Sequence, residues 1–368
     1  MPSVNERLAD AAIDRAVDLH QYANGVVRRM IAILNRADND ISSALLQALD
    51  TMPAESFSVE RLDSLLGSVR QLLAQAYQQL GRELPAEMLR LADAEATYQL
   101  ELFRAVIPPQ VIATVGVAQV EVAQVYAAAM ARPFQGRLLR EWAQSLEADK
   151  AARIRDAVRM GYIEQETIPQ IVRRVIGTKA KGYSDGIIEL DRRHAETIVR
   201  TAVSHTAGTV RDRMMEQNSD LIKAQSWTAT LDTRTSPICR PRDGKQYTPK
   251  SPYKPIGHGF PWLGGPGRAH FNCRSVAVPI TKSWRELGVN MDELTPTERA
   301  SMDGTVPADQ TFGQWLKKQS AGRQDEVLGP VRAGLFRKGM ALDEFYNDKG
   351  RYLSIEELMQ RSKAKAAA

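Results

Sequence analysis

Between residue 3 and about residue 176, apolar side chains recur at three- and four-residue steps, the spacing of one face of an α-helix. The clearest run is Leu62, Leu65, Leu66, Val69, Leu72, Leu73, Ala76 and Leu80. Pro53, Pro85, Pro108–Pro109, Pro133 and Pro169 interrupt the pattern. A proline lacks an amide donor and clashes with the preceding turn, so each is read as a helix boundary. The result is six or seven helices, an extended N-terminal bundle. The uncharged run Ala105–Val120 is cut by Pro108 and Pro109 and ends at Glu121. It is too short to cross a bilayer and is read as core.

A basic, glycine-punctuated loop at 176–186 is the best boundary in the chain. Beyond it, "RRHAETIVRTAVSHTAGTVRDRMMEQ" predicts one long helix with Ile198, Ala202, His205, Val210 and Met214 near one face. The period then changes. "LIKAQSWTATLD" alternates through Gln225, Trp227, Ala229 and Leu231 as a strand does, and "GKQYT" and "CRSVAVPIT" predict two more strands of a small meander. Past 285 helices return, anchored by Trp315, Leu316, Val327, Leu328, Val331, Leu335 and Phe336. Ser354 and Glu357 form a capping-box pattern there. The fold class expected is α+β, mainly α, in three parts: a helical domain at 1–176, a core of long helix plus small sheet at 187–284, and a C-terminal helical subdomain at 285–368 with a frayed tail.

Composition sharpens the middle part. Residues 221–280 hold eight of the chain's 18 prolines and six of its 24 glycines, so they cannot be helical, and three short strands bury little apolar area. The same 60 residues carry nine basic side chains (Lys223, Arg234, Arg240, Arg242, Lys245, Lys250, Lys254, Arg268, Arg274) against Asp232 and Asp243. The whole chain has a net charge of +5, and residues 1–150, with 14 basic and 19 acidic groups, are acidic. A basic excess this concentrated is either a footprint for a polyanion, which makes all nine candidate nucleic-acid contacts, or a solvated surface. The N-terminus is charged from residue 6 and shows no apolar leader, so no signal peptide is expected.

The chain's only two cysteines, Cys239 and Cys273, fall inside this segment, and His270 precedes the second by three residues. Two thiols in 368 residues suit a reducing cytoplasm rather than a disulfide scaffold. Cys239, His270 and Cys273 are candidate zinc ligands. A closed site needs a fourth, for which His258 or Asp232 is available; Ser236 stands where a Cys-x-x-Cys pair would be completed. A catalytic thiol would need His270 as base and Asp232 or Asp243 to orient it, but no protease signature surrounds either cysteine. A metal-dependent nuclease would want paired histidines that the segment lacks. "GGPG" and "DG" are turns, since no helix opening with Lys-Ser/Thr follows them. The remaining reading is a structural knot in which Cys239 and Cys273 are spatial neighbours with His270 beside them. Asp243 and Asn272 then cap turns, and Arg234 and Arg274 pair with Asp232 and Asp243 or face phosphate.

The strings "RTAVSHTAGTVRDRM", "WTATLDTRTSPICRPRDGKQY" and "GPGRAHFNCRS" resemble the phage head morphogenesis family, minor head proteins typified by that of phage Mu. The positions that carry the resemblance are Trp227, Asp232, Arg234, Thr235, Cys239, Asp243, Gly244, His270, Asn272, Cys273 and Arg274. It implies a structural assembly protein rather than an enzyme. Such a protein is a minor capsid component of few copies inside the virion head. It associates with the portal protein and other capsid or scaffold components; the basic excess at 221–280 adds the expectation that it binds double-stranded DNA without sequence preference, and no membrane is expected at assembly. It assembles in the host cytoplasm and acts in DNA packaging and delivery. Ser236 departs from the family pattern, in which many relatives carry a second cysteine, and this weakens the carry-over of a full metal site. The alternative is a nuclease or thiol hydrolase built on the same knot.

Overall fold

The computed structural model describes residues 3–50, 59–164, 166–290, 298–307, 309–347 and 351–367. It is 63% helical with a small antiparallel sheet, an α+β fold dominated by helices. Six helices precede residue 177 among the described residues: α1 (Val4–Asp50), α2 (Val59–Val106), α3 (Pro109–Val115), α4 (Val122–Ala131), α5 (Leu139–Ile163) and α6 (Ile168–Ile176). Pro108 and Pro133 fall between helices, and Pro109 and Pro169 sit in the first turns of α3 and α6, because a proline there gives up only an amide that has no intrahelical partner. Pro85 does not end a helix, contrary to the reading above: α2 runs through it. Leu80, Leu84 and Met88 around it are each no more than 2% exposed, and their packing outweighs the lost backbone bond. Pro53 lies outside the described residues.

The chain packs as two units. One consists of His20–Arg90 and Met130–Val203 and contains the loop at 177–186. Its core includes Val26, Met30, Leu34, Val69, Leu73, Leu80, Ile154 and Val158. Buried Lys150 meets buried Asp38 at 2.5 Å, and Arg192 reaches the other oxygen of Asp38 at 3.4 Å.

The other unit consists of Met1–Leu19, Leu91–Ala129 and Ser204–Ala368. Here the N-terminal helices are not a separate preamble. Leu8, Phe103, Val106, Ile107, Val111 and Val120 share one core with Val210, Met214 and Trp284. The apolar run at 105–120 buries Val106, Ile107, Val111 and Val120 in that core and leaves Ala105, Ala113 and Ala118 exposed, and no helix of the described residues is long and apolar enough to cross a membrane. Helix α7 (Ile187–Gln217) leads into β1 (Ile222–Thr228). The sheet has the order β3-β2-β1-β4, with β2 (Gln246–Tyr247), β3 (Pro255–Ile256) and β4 (Val276–Thr281), all pairs antiparallel. The three expected strands form as β1, β2 and β4, but not as a meander: β1 lies between the other two, pairing Trp227 with Ala277 and Ser226 with Val278 of β4, and an unexpected short strand, β3, adds to the far edge of β2. Ala12 of α1 packs on Val276 and Val278.

Beyond residue 297 the chain makes a hairpin, β5 (Glu298–Ser301) with β6 (Gly304–Pro307), that periodicity did not suggest. Then come α8 (Phe312–Lys317), α9 (Ala321–Leu328), α10 (Pro330–Arg337) and α11 (Ile355–Ala367). Trp315, Leu316, Val327, Leu328, Leu335 and Phe336 form one core, while Val331 is 43% exposed. Ser354 and Glu357 exchange backbone bonds of 2.7 and 3.2 Å at the start of α11. One carboxylate ties this core to the sheet. Asp243, 3% exposed, accepts the Ala229 amide at 2.7 Å through Oδ1 and the Phe312 amide at 2.6 Å through Oδ2.

Replacing Asp243 with Ala removes two charge-assisted bonds and orphans two buried amides. Urea denaturation should then show a loss of about 3–5 kcal/mol. A loss under about 1 kcal/mol would mean that the tie is incidental.

Candidate functional site: the thiol–imidazole knot

Two loop limbs form the knot. The first leaves β1 and turns at Asp232, whose Oδ1 accepts from the Arg234 amide at 3.1 Å and from the Thr235 hydroxyl at 3.1 Å. The Ser236 carbonyl then takes the amides of Cys239 and Arg240 at 3.0 and 3.1 Å. This places Cys239 at the mouth of a 3-10 turn, Arg240–Arg242. The second limb runs from Trp262 to Ser275. Gly265 sits at φ 99°, where a Cβ would lie 2.5 Å from the Trp262 ring and from the Arg268 guanidinium, so only glycine fits. Asn272, at φ 54°, turns the chain into Cys273, a conformation asparagine tolerates better than most residues. Arg274 fastens the limbs with two bonds to Asp232, of 2.5 and 2.8 Å.

At the crossing, Cys239 Sγ lies 3.6 Å from Cys273 Sγ and 3.2 Å from His270 Nε2. Both cysteines are free and buried. His270 is half-buried; its Nδ1 contacts the Phe271 carbonyl at 2.8 Å, and its Nε2 lies 2.7 Å from the Ser236 hydroxyl. Sharing a proton with Cys273 raises the Cys239 thiol, and burial adds to this. The same hydrogen bond lowers Cys273 to about 7 against the opposing effect of burial, helped by backbone groups of Ser275 and Gly267. Burial works to lower His270, but its bonds to Cys239 and to the Phe271 carbonyl outweigh it and raise the imidazole. Burial likewise works to raise Asp232, and the Arg274 bonds overcome it and hold the carboxyl below the ordinary range.

These donors fit part of a metal site. In tetrahedral zinc with Zn–S about 2.3 Å and Zn–N about 2.0 Å, two sulfurs lie about 3.8 Å apart and sulfur and nitrogen about 3.5 Å. The observed 3.6 and 3.2 Å approach those edges, and all three donor atoms lie within 4.8 Å of one another. Neither proposed fourth ligand joins this group among the described residues. Asp232 is taken by Arg274, while His258 uses Nε2 on the Gln246 carbonyl at 2.8 Å and Nδ1 on the Phe260 amide at 3.2 Å. The group beside the imidazole is Ser236, whose neutral hydroxyl is a poor zinc donor. Zinc would be held by Cys239, His270 and Cys273, in a protein site of three strong corners rather than four.

The nine basic residues divide. Arg240, Arg242 and Arg268 are interior, so their inclusion among DNA contacts is corrected. Arg240 donates to the carbonyls of Thr235 at 2.7 Å and Val327 at 2.6 Å and to the Tyr352 hydroxyl at 3.1 Å. Arg242 donates to Ile238 and Pro261 carbonyls at 2.6 and 3.1 Å. Arg268 pairs with buried Asp212 of α7 at 2.6 Å. Arg274 serves Asp232, and half-buried Lys245 meets Asp343 at 2.7 Å. Lys223, Arg234, Lys250 and Lys254 remain exposed.

Ser236, singled out as the position where a second cysteine would complete a pair, is a polar contact of His270 in the knot. One feature of the site escaped the sequence reading. Trp262 packs against Trp227, Tyr247 and Tyr253 with ring centroids 5.7, 4.8 and 4.9 Å apart. Four such rings between 227 and 262, in a chain with 6% aromatic residues, were the available clue to a local core.

Residues 149–278 match the family described as Phage Mu protein F like protein. This segment contains α6, α7, β1 to β3 and both limbs of the knot. No curated protein and no solved structure matches the chain.

Two outcomes follow from the geometry. Replacing Ser236 with Cys supplies a fourth strong donor, so competition against a chromophoric chelator should show one zinc per chain held more tightly than by the wild type. Equal affinity would show that the Ser236 side chain does not reach the metal. The stability that Asp232 contributes is complete above its unfolded pKa of about 3.9 and is lost as pH falls through its lower folded value. Asp232→Asn should therefore lower stability at pH 7 and flatten the acid limb of the stability curve; an unchanged acid limb would refute the linkage.

Proposed function

We propose, from the premise that residues 149–278 are a Mu F-like phage head morphogenesis region, that this chain is a minor structural component of the virion head. It sits at the portal vertex, in the head interior, and contacts the portal protein, other head components and packaged double-stranded DNA. The observation that carries the reading is the ordered motif from Trp227 to Arg274, most of whose polar members hold the knot while Arg234 stays exposed. Asp232 is matched to Arg274, Asp243 to two backbone amides, and His270 to Ser236 and Cys239. Groups so committed favour a structural over a catalytic role, since a general acid or base must be free to exchange its proton with substrate. The protein joins heads in the host cytoplasm and acts in assembly and in packaging or delivery of DNA. The unit formed by His20–Arg90 and Met130–Val203, which lacks the knot, supplies the docking surface.

Mass spectrometry of purified, cross-linked heads of the phage that encodes the chain tests this directly. The account expects the protein at a small fraction of the copies of the major capsid protein, with cross-links to portal. Its absence from heads, or copies matching the shell, would refute it.

DNA contact is assigned to Lys223, Arg234, Lys250 and Lys254, through phosphates and without base readout. Replacing all four with Ala should weaken retardation of duplex DNA at low salt and reduce the slope of log affinity against log salt by about 3–4. An unchanged slope would place the DNA surface elsewhere.

A further inference from the structure

The structure assigns to Cys239 and Cys273 a modification site: oxidation by a peroxide to an intramolecular disulfide that closes the knot covalently. The inference rests on the geometry of the thiols alone and is independent of the head role; only its setting, a particle leaving a reducing cell, depends on that reading.

Three observations carry it. The sulfurs stand 3.6 Å apart, so a bond of about 2.0 Å forms by a small approach of two side chains. They are the only thiols in the chain, which leaves no competing partner within one molecule. Both are nearly enclosed, with Cys239 2% and Cys273 3% exposed, behind partly exposed Ser236 and His270. That wall selects an oxidant close to water in size and disfavours a bulky one such as a glutathione disulfide.

The chemistry balances with hydrogen peroxide. Cys273 gives up its proton and its sulfur attacks one peroxide oxygen. The O–O bond breaks, and the departing hydroxide takes that proton as water, leaving a sulfenic acid. Cys239 then attacks the sulfenic sulfur. Its proton passes to His270 Nε2, 3.2 Å away, and the hydroxide that leaves Cys273 recovers it as a second water. Two thiols lose two hydrogens, and one peroxide is reduced to two waters. Either sulfur could begin; this order is written because it leaves Cys239 beside the imidazole for the closing step. The product closes a loop of 33 intervening residues in the part of the chain richest in proline and glycine, where a cross-link restricts the unfolded state most usefully.

Purified full-length protein is treated with a small molar excess of hydrogen peroxide, quenched, and read by thiol titration in denaturant and by intact mass. Both thiols should disappear, the mass should fall by two hydrogens, and digestion should yield one linked peptide pair joining Cys239 to Cys273. The thermal midpoint should rise on oxidation and return after dithiothreitol. Cys239→Ser should instead retain Cys273 as a sulfenic acid, which dimedone traps when the oxidised protein is unfolded in its presence. Survival of both wild-type thiols would overturn the assignment. So would a gain of two oxygens per sulfur with no linked pair, or linkage between chains in place of linkage within one.

Discussion

Seven residues, Cys239 to Lys245, hold together parts of the unit that lie far apart in sequence. Cys239 meets Cys273 and His270 on the returning limb, and Arg240 binds the end of α9 and Tyr352. Arg242 donates to two loop carbonyls, Asp243 joins the end of β1 to the start of α8, and Lys245 reaches Asp343. A loop rich in proline and glycine has few apolar contacts to fix its course, so polar ties of this kind decide it. Arg242 shows the cost most clearly. It is fully buried and no carboxylate pairs with it among the described contacts; burial lowers its affinity for its proton. Its charge is met by carbonyl oxygens and by the rings of Trp227 and Phe260, at 5.6 and 5.5 Å. Such a charge stays buried because the surrounding groups are already oriented toward it.

This arrangement explains why charge counting misled at three of nine positions. An arginine in sequence shows its charge and not its depth. The partners that bury Arg240 and Arg268 are the Val327 carbonyl, 87 residues downstream, and Asp212, 56 residues upstream. Neither separation leaves a local pattern. Side-chain chemistry with a short-range geometric signature was legible instead. The capping box at Ser354 and Glu357 and the alternation in β1 each depend on residues a few positions apart. Pro85 was misjudged for the opposite reason: a local rule was applied where packing on either side of the proline is stronger than the rule. The thiol–imidazole cluster became legible only because cysteine and histidine are rare in this chain, so their joint appearance in one segment stood out.

The knot's chemistry also bears on what the protein does. In a hydrolase the acid–base groups face a cavity and keep an exchangeable proton. Here the acids of the knot face backbone amides and Arg274, and the imidazole faces a thiol and a hydroxyl. The neighbouring opening, about 310 Å³, is lined by Arg240 and Asp243 as well as by Lys245, Lys317, Phe336 and Asp343; the Asp243 carboxylate at its edge is taken by two backbone amides, and neither cysteine nor His270 lines it. What the site produces is a fixed loop course beside β1, with Arg234, Lys250 and Lys254 of the loops and Lys223 of the strand exposed. That suits a component whose task is to hold its place and its contacts.

The central claim is that the knot organises the sheet loops and the C-terminal helices as one cooperative element. Amide hydrogen exchange on the Cys239→Ala, Cys273→Ala double variant measures this most directly. The account predicts lost protection across residues 229–275 and also across 312–345, with α5 and α6 unchanged. Loss confined to the few residues around positions 239 and 273 would contradict it.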